Sequence, residues 1–133
     1  EMCIRDRFLI YMKFIEFFGI IFPLLSVILG AFGAHLLKKS LSESALQSFE
    51  VGVRYMMYHG LALLILTLIQ FEEKKWVAIF FVIGTLLFSL SIFFLSIQSI
   101  LKINLKWLGP ITPIGGTFLI MGWILFLLKA VFS

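Results

Sequence analysis

Four long apolar runs separated by short clusters of charge organise the chain. The first extends from Phe14 to Leu37 and is broken in polarity only by Glu16, Ser26 and His35. About twenty apolar residues suffice to cross a bilayer as a helix, so this run predicts a first span, stopped by Lys38 and Lys39. A signal peptide is the rival reading, since Lys13 precedes the run and Ala31-Phe32-Gly33 has the small-x-small form of a cleavage site. The run exceeds the roughly 7–15 residue apolar core of such peptides, so an uncleaved helix is expected.

The connector from Ser40 to Val53 reads differently. Ser40 with Glu43 three residues on has the spacing of a capping box, in which each side chain satisfies an unpaired amide at a helix start. Leu41, Ala45, Phe49 and Val53 then recur every fourth residue, while Glu43, Gln47 and Glu50 lie elsewhere on the wheel. This pattern predicts a short interfacial helix, able to run directly into a second span from Tyr55 to Phe71 with Gly52 as the point of bending. Glu72 to Lys75 make a tight polar turn. Span three runs from Trp76 to Gln98 without a charge, and Trp76 stands where an interfacial anchor belongs. Lys102, Asn104, Lys106 and Trp107 form the next interfacial loop. In Gly109-Pro110-Ile111-Thr112-Pro113, Thr112 can cap a helix whose first position is Pro113, giving span four from Pro113 to Val131.

Small residues mark faces of spans one, three and four. In span one Gly19, Ser26 and Gly33 recur at intervals of seven, with Pro23 and Gly30 beside them. Small side chains let helix backbones approach closely in lipid, so a second helix is expected against this face. Span three carries two such stripes, Gly84-Phe88-Ser91-Leu95-Gln98 and Thr85-Ser89-Ser96, and is expected to touch two neighbours. Gly115 and Gly122 share a face of span four with Leu119 and Phe126. Helix packing accounts for these residues; a solute path along them is the alternative.

Composition agrees with a lipid environment. Of 133 residues, 62% are hydrophobic, far above the roughly 45–50% of soluble domains, and mean hydropathy is +1.12. The fold class expected is all-α and integral to the membrane: a four-transmembrane-helix bundle with a short interfacial helix between spans one and two. The net charge of +4 sits in the clusters that flank the spans, which fits lipid headgroups rather than nucleic acid. Residues Met2 to Arg7 read MCIRDR, the translation of ATGTGTATAAGAGACAG, a DNA that resembles the mosaic-end adapter of transposase-based sequencing libraries. Residues 1–11 are therefore expected to be an adapter-derived or disordered segment, with Glu1 to Arg7 making no packing contacts. The natural start is then expected at Met12, and the transmembrane domain at 12–133. Setting that segment aside removes Cys3, the only cysteine, and with it any disulfide or thiol chemistry.

Some residues go beyond generic packing: GAFGAH from Gly30 to His35, YHGLALL from Tyr58 to Leu64, LFS from Leu87 to Ser89, GPITPIGG from Gly109 to Gly116, and Gly122-Trp123. In that order and spacing they resemble the bacterial family catalogued as domain of unknown function 423, small inner-membrane proteins. The resemblance extends from Met12 onward, with departures at Leu36, Met56 and Leu90, where glycine, glutamine and glycine are expected. It implies a multi-pass protein of the bacterial inner (plasma) membrane and supplies no reaction.

The chain is poor in catalytic groups. Glu16, Glu43, Glu50, Glu72 and Glu73 all fall at or beyond the span boundaries, leaving no carboxylate pair for acid-base work, and no enzymatic step is expected. His35 and His59 fall short of the three or four ligands of a zinc site, and no metal or cofactor is expected. Strongly polar groups inside a membrane are nonetheless candidates for function. Because span one ends, span two begins, span three ends and span four begins at one surface, His35, His59, Gln98 and Thr112 are expected to converge there. The expected site is a polar pocket with His59 on its wall, Gln98 opposite, and the amides of Ile114 and Gly115 offering a weak positive site for a carboxylate or a water. Its alternative is that these groups hydrogen-bond one another simply to fix the bundle. The functional class expected is an accessory or ligand-sensing membrane component, its partners the lipid bilayer and either another membrane protein or further copies of itself. Small-solute or proton permeation through the bundle is the alternative.

Orientation is only weakly encoded. Lys13, Lys74, Lys75 and Lys129 lie on one side and Lys38, Lys39, Arg54, Lys102 and Lys106 on the other, and the positive-inside rule needs a clearer excess. The larger set nominally puts the first and third connectors in the cytoplasm. Reporter fusions at the C-terminus test this: a strong cytoplasmic signal with no periplasmic one would contradict it.

Overall fold

A computed structural model describes residues 3–132, and among them the chain is helical throughout apart from its turns. Four helices are long and apolar enough to cross a membrane: α1 (Ile4–Leu37), α2 (Glu43–Leu68), α3 (Lys74–Leu101) and α4 (Ile111–Phe132), the last preceded by a single 3₁₀ turn, Lys106–Leu108. Lys129 of α4 pairs with Glu73 of the α2–α3 turn, and Arg7 and Phe14 of α1 border a cleft with Lys75 and Ile79. The start of α1 and the end of α4 therefore lie at one end of the bundle, as four antiparallel spans require.

Several boundaries differ from those read in the sequence, each for a local reason. The first helix begins at Ile4 rather than Phe14, and Cys3 to Arg7 are exposed; Glu1 and Met2 lie outside the described residues. The residue that starts α2 is Ser42, not Ser40: its Oγ accepts the Ala45 N–H at 3.2 Å, while Ser40 and Leu41 close a turn back onto the Leu37 carbonyl. The amphipathic stretch is not a separate interfacial helix. It forms the first turns of α2, which runs through Gly52 without a break. In α4 the helix begins at Ile111, so Thr112 and Pro113 fall inside the first turn rather than at cap and first position.

Two helices contain a π turn, a residue inserted into the α-helical ladder: Leu29–Gly33 in α1 and Leu86–Leu90 in α3. Both coincide with short motifs noted in the sequence, GAFG and LFS. α1 passes Pro23 without ending, as membrane helices can when a neighbour packs against the break. That neighbour is Gly60 of α2, where an added Cβ would overlap the Pro23 ring.

The helices pack pairwise. The small face of α1 lies on α2, as its spacing implied: a Cβ on Gly19 would come within 2.8 Å of Leu64, and one on Gly30 within 3.2 Å of Val53. α3 touches both α2 and α4. Gly52 admits the Phe93 ring, Gly84 admits Leu119, and Gly122 admits Phe81. The closest approach to a neighbouring backbone is Gly115 of α4 against the α3 π turn, where a Cβ would overlap the Phe88 amide and lie 2.9 Å from its α-carbon. Among the described residues the α1 and α4 backbones do not approach each other, whereas α2 and α3 pack together and each also meets both outer helices, so the cross-section is a rhombus with α2 and α3 on its short diagonal. The core sits there: Ile15, Leu63, Leu66, Val77, Ala78 and Phe81 are fully enclosed.

Gly115 and Gly116 provide a paired test of the crossing. Gly115→Ala is expected to destabilise the protein in detergent by about 1–3 kcal/mol, because backbone on α3 cannot yield as a side chain can. A Cβ on Gly116 meets only the Phe88 ring at 3.7 Å, so Gly116→Ala is expected to be neutral or slightly stabilising through helix propensity. Thermal unfolding of the two variants measures the difference.

Candidate functional site

His59 is the most buried titratable side chain well inside a span, 3% exposed, and both of its ring nitrogens are engaged. The indole Nε1–H of Trp123 on α4 donates to His59 Nε2 at 3.0 Å. An indole nitrogen can only donate, so Nε2 is the acceptor and the proton of the neutral ring is on Nδ1. Nδ1–H in turn donates to the Tyr55 carbonyl one helical turn back, at 2.7 Å. Phe81 meets the imidazole edge-on at 5.4 Å between centroids, and Tyr55 stacks over it at 6.2 Å. Beside this group a cleft of about 290 Å³ opens between α2 and α4, lined by Tyr55, His59, Phe88, Gly116, Leu119, Ile120 and Trp123. Its walls are aromatic and aliphatic, and Trp123 and Ile120 are exposed at its mouth.

The other residues singled out in the sequence do not join His59. His59 lies sixteen residues into α2, about 24 Å along the axis from Glu43, whereas Gln98 is within a turn of the end of α3. Gln98 organises the connector that follows: its carbonyl accepts the Ile103 N–H and its Oε1 accepts the Leu105 N–H at 3.0 Å, around Lys102 in a left-handed conformation with φ 55°. His35 is exposed near the end of α1. Gly115 is used at the helix crossing, and with α4 starting at Ile111 the amides of Ile114 and Gly115 lie within the helical ladder rather than free at its start. The expected convergence of the five residues on one pocket is therefore corrected: they occupy different depths and faces.

Thr112 belongs to a second cleft, of about 430 Å³, at the end of the bundle where α2 and α4 begin. Ser44, Ala45, Ser48 and Val51 of α2, Ile92, Leu95 and Ser96 of α3, and Thr112 line it. Thr112 Oγ1 and Ser91 Oγ are 2.7 Å apart, and Ser91 donates to the Phe88 carbonyl at 2.9 Å, so Thr112 is the donor of the pair. One turn deeper, Ser89 Oγ donates to the Gly52 carbonyl at 2.8 Å and ties α3 to α2.

Trp123 and Ser96 were the residues whose roles the sequence reading missed. A tryptophan in the middle of a span needs an acceptor for its N–H, and His59 is the one imidazole that lies at its depth, so counting residues from the turns would have paired them. Ser96 was visible as a member of a small-residue stripe and carries no further signal in the sequence.

Comparison with known proteins now places the chain. The family model described as "Protein of unknown function (DUF423)" matches residues 29–116. A UPF0382 membrane protein of Staphylococcus haemolyticus is 36% identical over 89% of this chain and 95% of its own length. The UPF0382 membrane protein YwdK of Bacillus subtilis is 37% identical over 90% of this chain and 98% of its own. The UPF0382 inner membrane protein YgdD of Escherichia coli K12 is 32% identical over 90% of each. No solved structure matches the chain. It is a multi-pass protein of the bacterial inner membrane, defined by four antiparallel spans. It belongs to the DUF423 family, which carries no established function.

The Trp123–His59 bond predicts energetic coupling between α2 and α4. Trp123→Phe leaves Nε2 without a donor, and a double-mutant cycle with His59→Ala is expected to return a coupling of about 0.5–1.5 kcal/mol in detergent unfolding. Additive losses would mean the bond contributes nothing to the fold.

Proposed function

We propose that this protein is an accessory or ligand-sensing component of the membrane that carries out no chemical step. One observation carries the reading: the middle of the bundle is closed, while its clefts open sideways and at its two ends. Leu63, Leu66, Val77 and Phe81 fill the short diagonal, and His59 has both nitrogens bound within the chain. A proton path needs a group free to exchange its proton with neighbours on either side. A neutral imidazole fixed between an indole donor and a carbonyl acceptor is poorly suited to that role. The lateral clefts suit a lipid, a lipid-soluble ligand or the helix of a partner protein.

Two measurements on the same preparation test this. Proteoliposomes are expected to pass protons and small solutes no faster than protein-free vesicles, and crosslinking in native membranes is expected to capture a stoichiometric membrane-protein partner or a second copy. Flux above background that His59→Ala abolishes would overturn the reading in favour of permeation.

A further inference from the structure

We propose that the cleft between the start of α2, the last third of α3 and the start of α4 binds a phosphate group. The inference rests on the ligand-sensing reading above and gives that ligand a chemical class.

Two long helices direct their N-termini into this cleft, through Ser44 and Ala45 of α2 and Thr112 of α4. Each helix start carries a partial positive charge and unpaired amides. In α2 the Ala45 N–H is taken by Ser42 and the Leu46 N–H by the Ser42 carbonyl, which leaves the amides of Glu43 and Ser44. In α4 the prolines at 110 and 113 have no N–H, which leaves Ile111 and Thr112.

Ser96 supplies the independent observation. It forms part of the cleft wall on α3, is 5% exposed, and its hydroxyl finds no hydrogen-bond partner among the described residues. A buried serine in a helix ordinarily bonds a carbonyl one turn back or a neighbouring chain, and leaving it unpaired is destabilising. Tyr11, Ser26 and Thr85 are also unpaired among the described residues, but Ser26 and Thr85 line neither the His59 cleft nor this one, and Tyr11 lies at the opposite end of the bundle, on the cleft beside Lys75 and Ile79. Ser96 is thus a donor held beside two helix starts.

The lining residues decide the sign and kind of ligand. None of them is acidic, and Glu43 and Glu50 sit about 100–160° around α2 from Ser44 and Ser48. The connector that leaves α3 at this end carries Lys102 and Lys106, both exposed. Several neutral donors around a positive end match the multiple acceptor oxygens of a phosphate better than a single carbonyl. Val51, Ile92 and Leu95 form an apolar wall running toward the bilayer interior, along which an acyl chain can lie. The phosphate can therefore belong to a phospholipid headgroup or to a free anion.

Ser96→Ala separates this from a structural role, because it removes a hydroxyl that holds nothing in the protein itself. The purified full chain is titrated in a neutral detergent with inorganic phosphate in one arm and phosphatidylglycerol in mixed micelles in the other. Thermal unfolding and retention in native mass spectrometry are the readouts. The wild type is expected to be stabilised in at least one arm, and which arm responds identifies a free anion or a lipid. Ser96→Ala is expected to unfold at or slightly above the wild-type temperature without ligand and to lose roughly ten-fold in affinity, the scale of one hydrogen bond to a charged group. Ala45→Phe, which fills the cleft from the first turn of α2, is expected to abolish binding. A wild type that responds in neither arm, or a Ser96→Ala that binds as the wild type does, overturns the site. Either result leaves the accessory reading standing if a partner is still captured, whereas transbilayer flux would overturn that reading whatever the cleft binds.

Discussion

Lipid gives helices no hydrophobic reason to meet, so this fold depends on how closely its backbones can approach. Gly115 lying on the Phe88 backbone shows that constraint where backbone meets backbone, Gly84 and Gly122 repeat it along the same α3–α4 seam, and Gly19 and Gly60 along the α1–α2 seam. Dispersion falls steeply with separation, so each missing Cβ brings a large area of neighbouring side chain into range. The motifs that carry the family resemblance are largely made of these contacts. GAFGAH, LFS and GPITPIGG place glycine or a π turn where two helices cross, which explains why they can be recognisable without carrying any catalytic group.

Polar groups then fix which arrangement of greasy helices is adopted. Ser89 to Gly52 and Trp123 to His59 are directional bonds between spans, and a rotated or slipped packing would leave the groups that make them unpaired in the bilayer. In hydrocarbon each such bond adds modestly to stability, but an unmatched partner is costly, so the bonds select among packings that close contact alone would permit. The histidine is best understood in this way: it receives an indole proton, gives its own to its own helix, and stands among Phe81, Tyr55 and Trp123.

The spans and their small faces were legible in the sequence because hydropathy and spacing are local properties. The mate of the Gly19-Ser26-Gly33 face was correctly anticipated as another helix, and α3 does meet two neighbours. The grouping of His59 with Gln98 and Thr112 failed for two physical reasons. A helical wheel records angle and ignores depth, and α2 begins twelve residues before Tyr55, which carries His59 toward mid-membrane. The π turn at Leu86–Leu90 also inserts a residue, so a stripe drawn from Gly84 to Gln98 at about 100° per residue slips by about that angle beyond it. Ser42 displaced Ser40 as the cap because the chain first folds back through a turn on Leu37, a tertiary detail the capping pattern does not contain.

The rhombic cross-section bears on how the protein is made. Most of its glycine contacts join α1 to α2 and α3 to α4, each within a pair that is contiguous in the chain, while Gly52 against Phe93, the Phe49–Phe93 contact and the Ser89–Gly52 and Trp123–His59 bonds join one pair to the other. The first hairpin contains its own closest packing before the second has been synthesised. Biogenesis can thus proceed in two steps, with each hairpin leaving the insertion machinery as a preassembled unit and the pairs docking afterwards in the bilayer.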